Sequence, residues 1–162
     1  MPALASRFAP ARLLTICGLV LTLAATMFAG SVVSPNASHA SALVSAERAG
    51  KAADWAKTRQ GSPYRYGAMG PRKFDCSGLT RWAYKRVGKN LPHSSSAQAR
   101  HVKRVKRSNA RRGDLVFFSS RGGIYHVAIY AGHNRIWHAP YSGTRVRRDK
   151  IWSGNVFFGR VR

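Results

Sequence analysis

One thiol and two histidines carry the reactive chemistry of this 162-residue chain. Cys76 stands in the stretch Phe74-Asp75-Cys76-Ser77-Gly78-Leu79. The only other cysteine, Cys17, lies in an N-terminal segment with the marks of an export signal, so Cys76 is the one thiol expected in the mature chain. Outside the cell cysteines normally pair as disulfides, and a leftover thiol points to intermolecular pairing or to chemistry. Behind it Leu79, Trp82, Ala83 and Val87 recur at helical spacing, with Gly88 and Pro92 as a stop. Cys76 is therefore expected in the first turn of a helix, where free N–H groups and the macrodipole favour a thiolate. The plain alternative is an inert cysteine packed beside Leu79. The exported setting and the Asp-Cys-Ser-Gly context favour the nucleophile.

A thiol nucleophile needs a base, and the base needs a group that orients it. His126 sits inside the apolar run Tyr125-His126-Val127-Ala128-Ile129-Tyr130, and His138 repeats that anomaly in Ile136-Trp137-His138-Ala139. A strand histidine alone is as readily structural as catalytic; two on neighbouring strands beside a lone thiol form a specific combination. His133, in a Gly-His-Asn turn, and His101, among basic residues, read as surface groups. A zinc site would need three or four converging ligands with carboxylate support. The histidine spacings match no short metal motif and acids are scarce, so neither a metal nor another cofactor is expected.

These groups must be positioned by a single domain. Arg7 and Arg12 precede a mostly apolar run from Leu13 to Gly30, and Ser38-His39-Ala40 offers a cleavage site. Residues 1–40 thus read as a signal peptide, with a retained anchor as the second choice. Ile16 before Cys17 argues against lipidation. The remaining 41–162 form the catalytic domain. A helix is expected over 41–60, the Cys76 helix next, and a short helix from Ser95 to His101 capped by Ser94. Extended runs follow at 114–119, 124–131, 135–139, 144–148 and 156–161. Helices first and strands after argue an α+β domain with an antiparallel sheet.

The mature chain is strongly basic. Removing Arg7 and Arg12 from 28 basic residues leaves 26 against five acids, a net charge of +21. Such a charge attracts polyanions and says nothing of fold. The densest patch is Lys103, Arg104, Lys106, Arg107, Arg111 and Arg112. No aromatic is interleaved to stack on bases, so no dedicated nucleic-acid site is expected. A solvated, partly flexible face is the plain reading of the patch.

Residues 46 to 162 resemble the NlpC/P60 cysteine peptidases, cell-wall hydrolases with a papain-like core. The resemblance runs through Gly61-Ser62-Pro63-Tyr64 with Tyr66-Gly67, through Asp75 to Leu79, and through Leu91-Pro92-His93-Ser94 with Gln98. It continues through Arg112 to Phe118, His126 to Tyr130 and Ile136 to Ala139. It implies N-terminal helices packed on a five- to six-stranded antiparallel sheet. It also implies Cys76 as nucleophile, His126 as base and His138 as the polar residue that orients His126. Tyr64 matches the tyrosine that helps hold the oxyanion, and Asp75 and Ser77 stand where the family meets the substrate's free amine and backbone. Two positions depart from the pattern: Ala68-Met69 replaces a usual second glycine, and His93 replaces a common arginine. The implied substrate is the stem peptide of peptidoglycan, most often cut between D-γ-glutamate and the diamino acid. A monomer is expected, and its +21 charge is expected to concentrate it on anionic wall polymers. The same cysteine could serve an amidase or an acyltransferase, and a non-enzymatic cationic wall-binding protein is the alternative from another class.

The register between the two histidine strands is decisive. A turn over Gly132-His133-Asn134, or an equivalent bulge, pairs Tyr130 with Ile136 and puts both imidazoles on one face, towards the Cys76 helix. A register one residue longer would separate them.

Overall fold

Ser45 starts the first helix: its hydroxyl accepts from the Arg48 N–H, and α1 runs Ala46–Lys57. The computed structural model describes residues 42–162. The expected signal peptide and its cleavage after Ala40 lie outside the described residues. Ala49, Ala52, Ala53 and Ala56 form the buried face of α1, so the helix can approach its neighbours closely. α2 (Cys76–Lys85) is capped by Asp75, whose side chain accepts from the Gly78 N–H. Gly88, at φ 73°, takes the left-handed position just past it. α3 (Ser95–Arg100) is capped by Ser94, as expected. Among the described residues no helix is long and apolar enough to cross a membrane.

Six strands form one antiparallel sheet: β1 (Val102–Val105), β2 (Leu115–Ser120), β3 (Gly123–Gly132), β4 (Arg135–His138), β5 (Arg147–Lys150) and β6 (Val156–Val161). Their spatial order is β1-β6-β2-β3-β4-β5. Two differences from expectation matter. β1 lies inside the basic stretch, where Val102 and Val105 pair with Val161 and Phe158 while Lys103 and Arg104 stay exposed. β5 occupies 147–150 rather than 144–148, because Arg145 is taken by an isolated bridge to Pro63 and Val146 turns into the core.

The sheet buries both faces. On one, Leu79, Ala83 and Tyr84 of α2 and the alanines of α1 pack on Leu115, Phe117, Val127 and Ile129. On the other, Val116, Phe118, Ala128 and Ile136 join Ile151 and Phe158. Each fully buried large apolar side chain contributes about 1.5–3 kcal/mol, so the helix-covered face carries much of the stability. Gly78 is needed where the tyrosine loop crosses α2. A Cβ there would lie 2.1 Å from the Ala68 carbonyl oxygen.

Candidate active site

The cysteine side is built from local contacts. The Asp75 carboxylate accepts from the Gly78 N–H at 2.6 Å, the Gly67 N–H at 2.9 Å and the Ser77 hydroxyl at 3.2 Å. The Asp75 N–H donates in turn to the Ala68 carbonyl. These bonds clamp the loop that carries Tyr64 onto the first turn of α2. His93, on the segment leading to α3, sets its Nε2 2.8 Å and 3.0 Å from the two Asp75 oxygens. Gln98, fully buried, joins the segments by donating to the carbonyls of Ser77 and Pro92. Tyr64, Asp75, Cys76, Ser77 and His93 line a cavity of about 360 Å³. Every residue expected on this side is brought together.

The histidine side depends on strand register. His133 and Asn134 hold φ of 51° and 57°, the two left-handed positions of a two-residue hairpin turn. Gly132 pairs with Arg135, the register shifts at Ala131, and Tyr130 then pairs with Ile136. The bulge form of the expected register is thus the one adopted. His126 Nε2 lies 3.0 Å from His138 Nδ1, with the ring planes at 78°. His138, only 1% exposed, places its Nε2 3.0 Å from Asp149 Oδ2, and the Arg147 Nε–H donates to that same oxygen at 2.7 Å.

One expectation is corrected. The imidazoles share a face, but it is not the helix-covered one. His126 pairs with Phe118 across β2 and β3, and strand alternation sets both rings with Phe118, Ala128 and Ile136. Trp152 stacks on Phe118 with ring centroids 4.2 Å apart and packs against both imidazoles. Cys76 packs with the helix-side core instead. The thiol nevertheless neighbours β3: Cys76 lines a cavity with Tyr125, the residue before His126, and the Val127 N–H is the foremost group lowering its pKa.

Burial opposes the thiolate expected at the helix start. Burial pushes the Cys76 thiol above its ordinary value; the N–H groups of Val127, Ser77 and Cys76 pull it back only in part, and the Asp75 charge pushes it further up. Burial, and after it repulsion from His138 whenever that ring is protonated, brings His126 down to about 3. Burial also lowers His138, with Asp149 opposing. Desolvation thus works against the charged form of both groups, and at the thiol it opposes what the helix N-terminus favours. Burial raises the Tyr64 phenol as well, so it stays a hydrogen-bond donor.

Residues 61–157 match the NlpC/P60 family. The chain belongs to that family. A probable endopeptidase of Corynebacterium glutamicum (strain R) is 46% identical over 128 residues, covering 79% of this chain and 59% of the relative. A bifunctional muramidase/DL-endopeptidase of Bacillus subtilis (strain 168) is 35% identical, covering 64% of this chain and 33% of that protein. This chain therefore spans less than two thirds of these curated relatives' own length. Among solved structures, the NlpC/p60 domain of the peptidoglycan hydrolase SagA superposes with a TM-score of 0.64 at 32% identity, over 74% of this chain and all of that one. The NlpC/P60 fold is thus present with its papain-like core.

Three residues of this NlpC/P60 site were not legible as site residues. Trp152, Tyr125 and Asp149 join His126, His138 and Arg147 around a second cavity of about 350 Å³. Tyr125, 53% exposed, lines both cavities and so joins the cysteine side to the histidine side. The available signal for Asp149 was its i, i+2 spacing from Arg147, which puts both on one face once β5 starts at 147. Among the described residues no group of three histidine, cysteine or acidic side chains could hold a metal ion.

Proposed function

We propose that this chain is a peptidoglycan endopeptidase that uses Cys76 as nucleophile, His126 as base and His138 as the group that orients His126. The observation that carries it is the 3.0 Å contact between the two imidazoles, with Tyr125, the residue before His126, lining one cavity with them and another with the Cys76 thiol. The Cys76 sulfur attacks the amide carbon as His126 takes the thiol proton. The Tyr64 hydroxyl and backbone N–H groups receive the charge on the oxyanion. His126 then delivers its proton to the leaving amine, the C–N bond breaks, and water hydrolyses the thioester. The bond cut is the one between D-γ-glutamate and the diamino acid.

The acyl part of the stem lies in the cavity with Asp75 and Ser77, and the leaving amine lies beside His126. Asp75 already accepts from Gly67, Ser77 and Gly78, so a substrate ammonium takes the place that His93 occupies. Residues 1–40 export the chain to the envelope, where it acts as a monomer and its +21 charge holds it on anionic wall polymers. Mass spectrometry of purified peptidoglycan incubated with wild type and with Cys76→Ala tests this. New D-γ-glutamyl termini with wild type alone are expected. Termini at the sugar–peptide junction would assign an amidase, cross-linked products a transferase, and no new termini a binding protein.

A further inference from the structure

The two histidines have four ring nitrogens, and their contacts with the protein admit one assignment of protons. We infer that Asp149 is a positioning residue that sets the tautomers of both rings and so leaves the lone pair of His126 Nδ1 free to act as the base. This rests on the roles proposed for Cys76 and His126.

A carboxylate only accepts. Asp149 Oδ2, 3.0 Å from His138 Nε2, therefore requires the His138 proton on Nε2. His138 is buried and neutral, so its Nδ1 is an acceptor. His126 Nε2, 3.0 Å away, must then donate to it, and the single proton of neutral His126 is used there. His126 Nδ1 is left bare. With no acceptor at Asp149, nothing holds the His138 proton on Nε2. If that proton moves to Nδ1 it points at His126 Nε2, which must accept, and the His126 proton moves to the nitrogen that should be the base.

Arg147 completes the device. Its Nε–H donates to the same Oδ2 at 2.7 Å, so one oxygen is aimed at His138 by a cation. Strand pairing enforces this, because Asp149 lies opposite Ile136 and Arg147 opposite His138. The charged and titratable groups facing His138 are His126, Asp149 and, through Asp149, Arg147; Trp152 presents only its ring. An asparagine at 149 keeps an oxygen that Arg147 can hold towards His138, whereas an alanine keeps nothing.

The test is a long-range proton–nitrogen NMR correlation of the imidazoles in the 15N-labelled chain at neutral pH, without substrate, joined to steady-state kinetics on a soluble stem peptide. Wild type should carry its His126 and His138 protons on the two Nε2 atoms. Asp149→Ala should mix the tautomers and lower kcat roughly 10- to 100-fold with KM within about threefold, as loss of an orienting partner does. Asp149→Asn should keep the wild-type tautomers and most of kcat. A wild-type His126 protonated at Nδ1 overturns the inference, and so does an Asp149→Ala enzyme with wild-type kcat or an Asp149→Asn enzyme as slow as Asp149→Ala. If Asp149→Ala does not fold, the wild-type tautomers decide. Correct tautomers in a protein that cuts no stem peptide would count against the proposed function and not against this assignment.

Discussion

Two carboxylates each hold an imidazole in this molecule, and they are held differently themselves. Asp75 is 6% exposed and accepts from two backbone N–H groups and a hydroxyl, all within eleven positions of chain from Gly67 to Gly78, before His93 is added. Asp149, half-buried, rests on one guanidinium two residues away and reaches His138 only because β4 and β5 pair. The first carboxylate is saturated and holds the helix start in place. The second has capacity to spare and acts on a ring beside the reaction. The cysteine side should therefore fail through stability and substrate binding when its carboxylate is removed, and the histidine side through kcat.

The largest effects lie where the two sides meet. Cys76→Ser and His126→Ala should each lower stem-peptide hydrolysis by at least ~10³-fold, because removing either member of a nucleophile–base pair removes the unit. Cys76→Ser should melt within a few degrees of wild type, since it exchanges like volume at a half-buried position. Appreciable turnover by Cys76→Ser would mean that the nucleophile lies elsewhere.

Next come the substitutions that separate the two sides. Asp75→Ala should destabilise the fold by about 2–3 kcal/mol in denaturant titration, from a lost N-cap and the loss of charge-assisted bonds. His138→Ala should lower kcat by roughly 10–100-fold, while His138→Gln and His138→Asn retain more activity and none of the three does the damage of His126→Ala. A stable Asp75→Ala protein would show that the saturated carboxylate is not what fastens the loop to α2.

What could be read from the sequence divides along the same line. The Cys76 helix, its Asp-Cys-Ser-Gly start, the Ser94 cap and the Gly88 stop are set by neighbours in the chain, so spacing and capping chemistry reveal them. The histidine register was legible too, because Gly132-His133-Asn134 admits few turns that keep both rings on one face. Asp149 was not, since its partner is fixed by where β5 begins, and that depends on Arg145 bridging to Pro63, more than eighty positions away. β1 was hidden because Lys103-Arg104 looks like a solvated charge run until Val161 supplies its ladder. Neither the upward push of burial on the thiol nor the face chosen by the imidazoles has a local signal. Both depend on how much water the assembled fold excludes.

Acid stability sharpens the contrast further. The folded His126 titrates at about 3, and an unfolded histidine near 6.5. The unfolded chain therefore takes the proton first, so this contribution is complete above about pH 6.5 and is lost as pH falls towards 3. The slope is at most about 1.4 kcal/mol per pH unit. Denaturant titrations across that window should show His126→Gln with a flatter acid limb than wild type. Parallel limbs would mean that burial of this ring does not govern the site.

The smallest effects belong to the basic edge. β1 and β5 are the two outer strands of the sheet, so Lys103 and Lys106 lie at the far edge from Asp149. The patch is not uniform. Arg112 pairs with Asp54, Arg104 sits 3.9 Å over the Phe157 ring, and Arg107 donates to Asn134 in the turn that sets the histidine register. Reversing Arg107 would therefore disturb the site as well as the surface charge. Lys103→Glu with Lys106→Glu is the cleaner test, because both side chains are exposed and no ion pair or side-chain hydrogen bond in the described residues uses them. Binding to whole wall should weaken in this double variant, and its salt dependence should become shallower, since exposed charges are screened over roughly 10 Å at about 0.1 M salt. Cleavage of a soluble stem peptide should stay within about twofold of wild type. Equal loss in both assays would place these lysines in the reaction itself and remove the basic edge as a separate wall-binding surface.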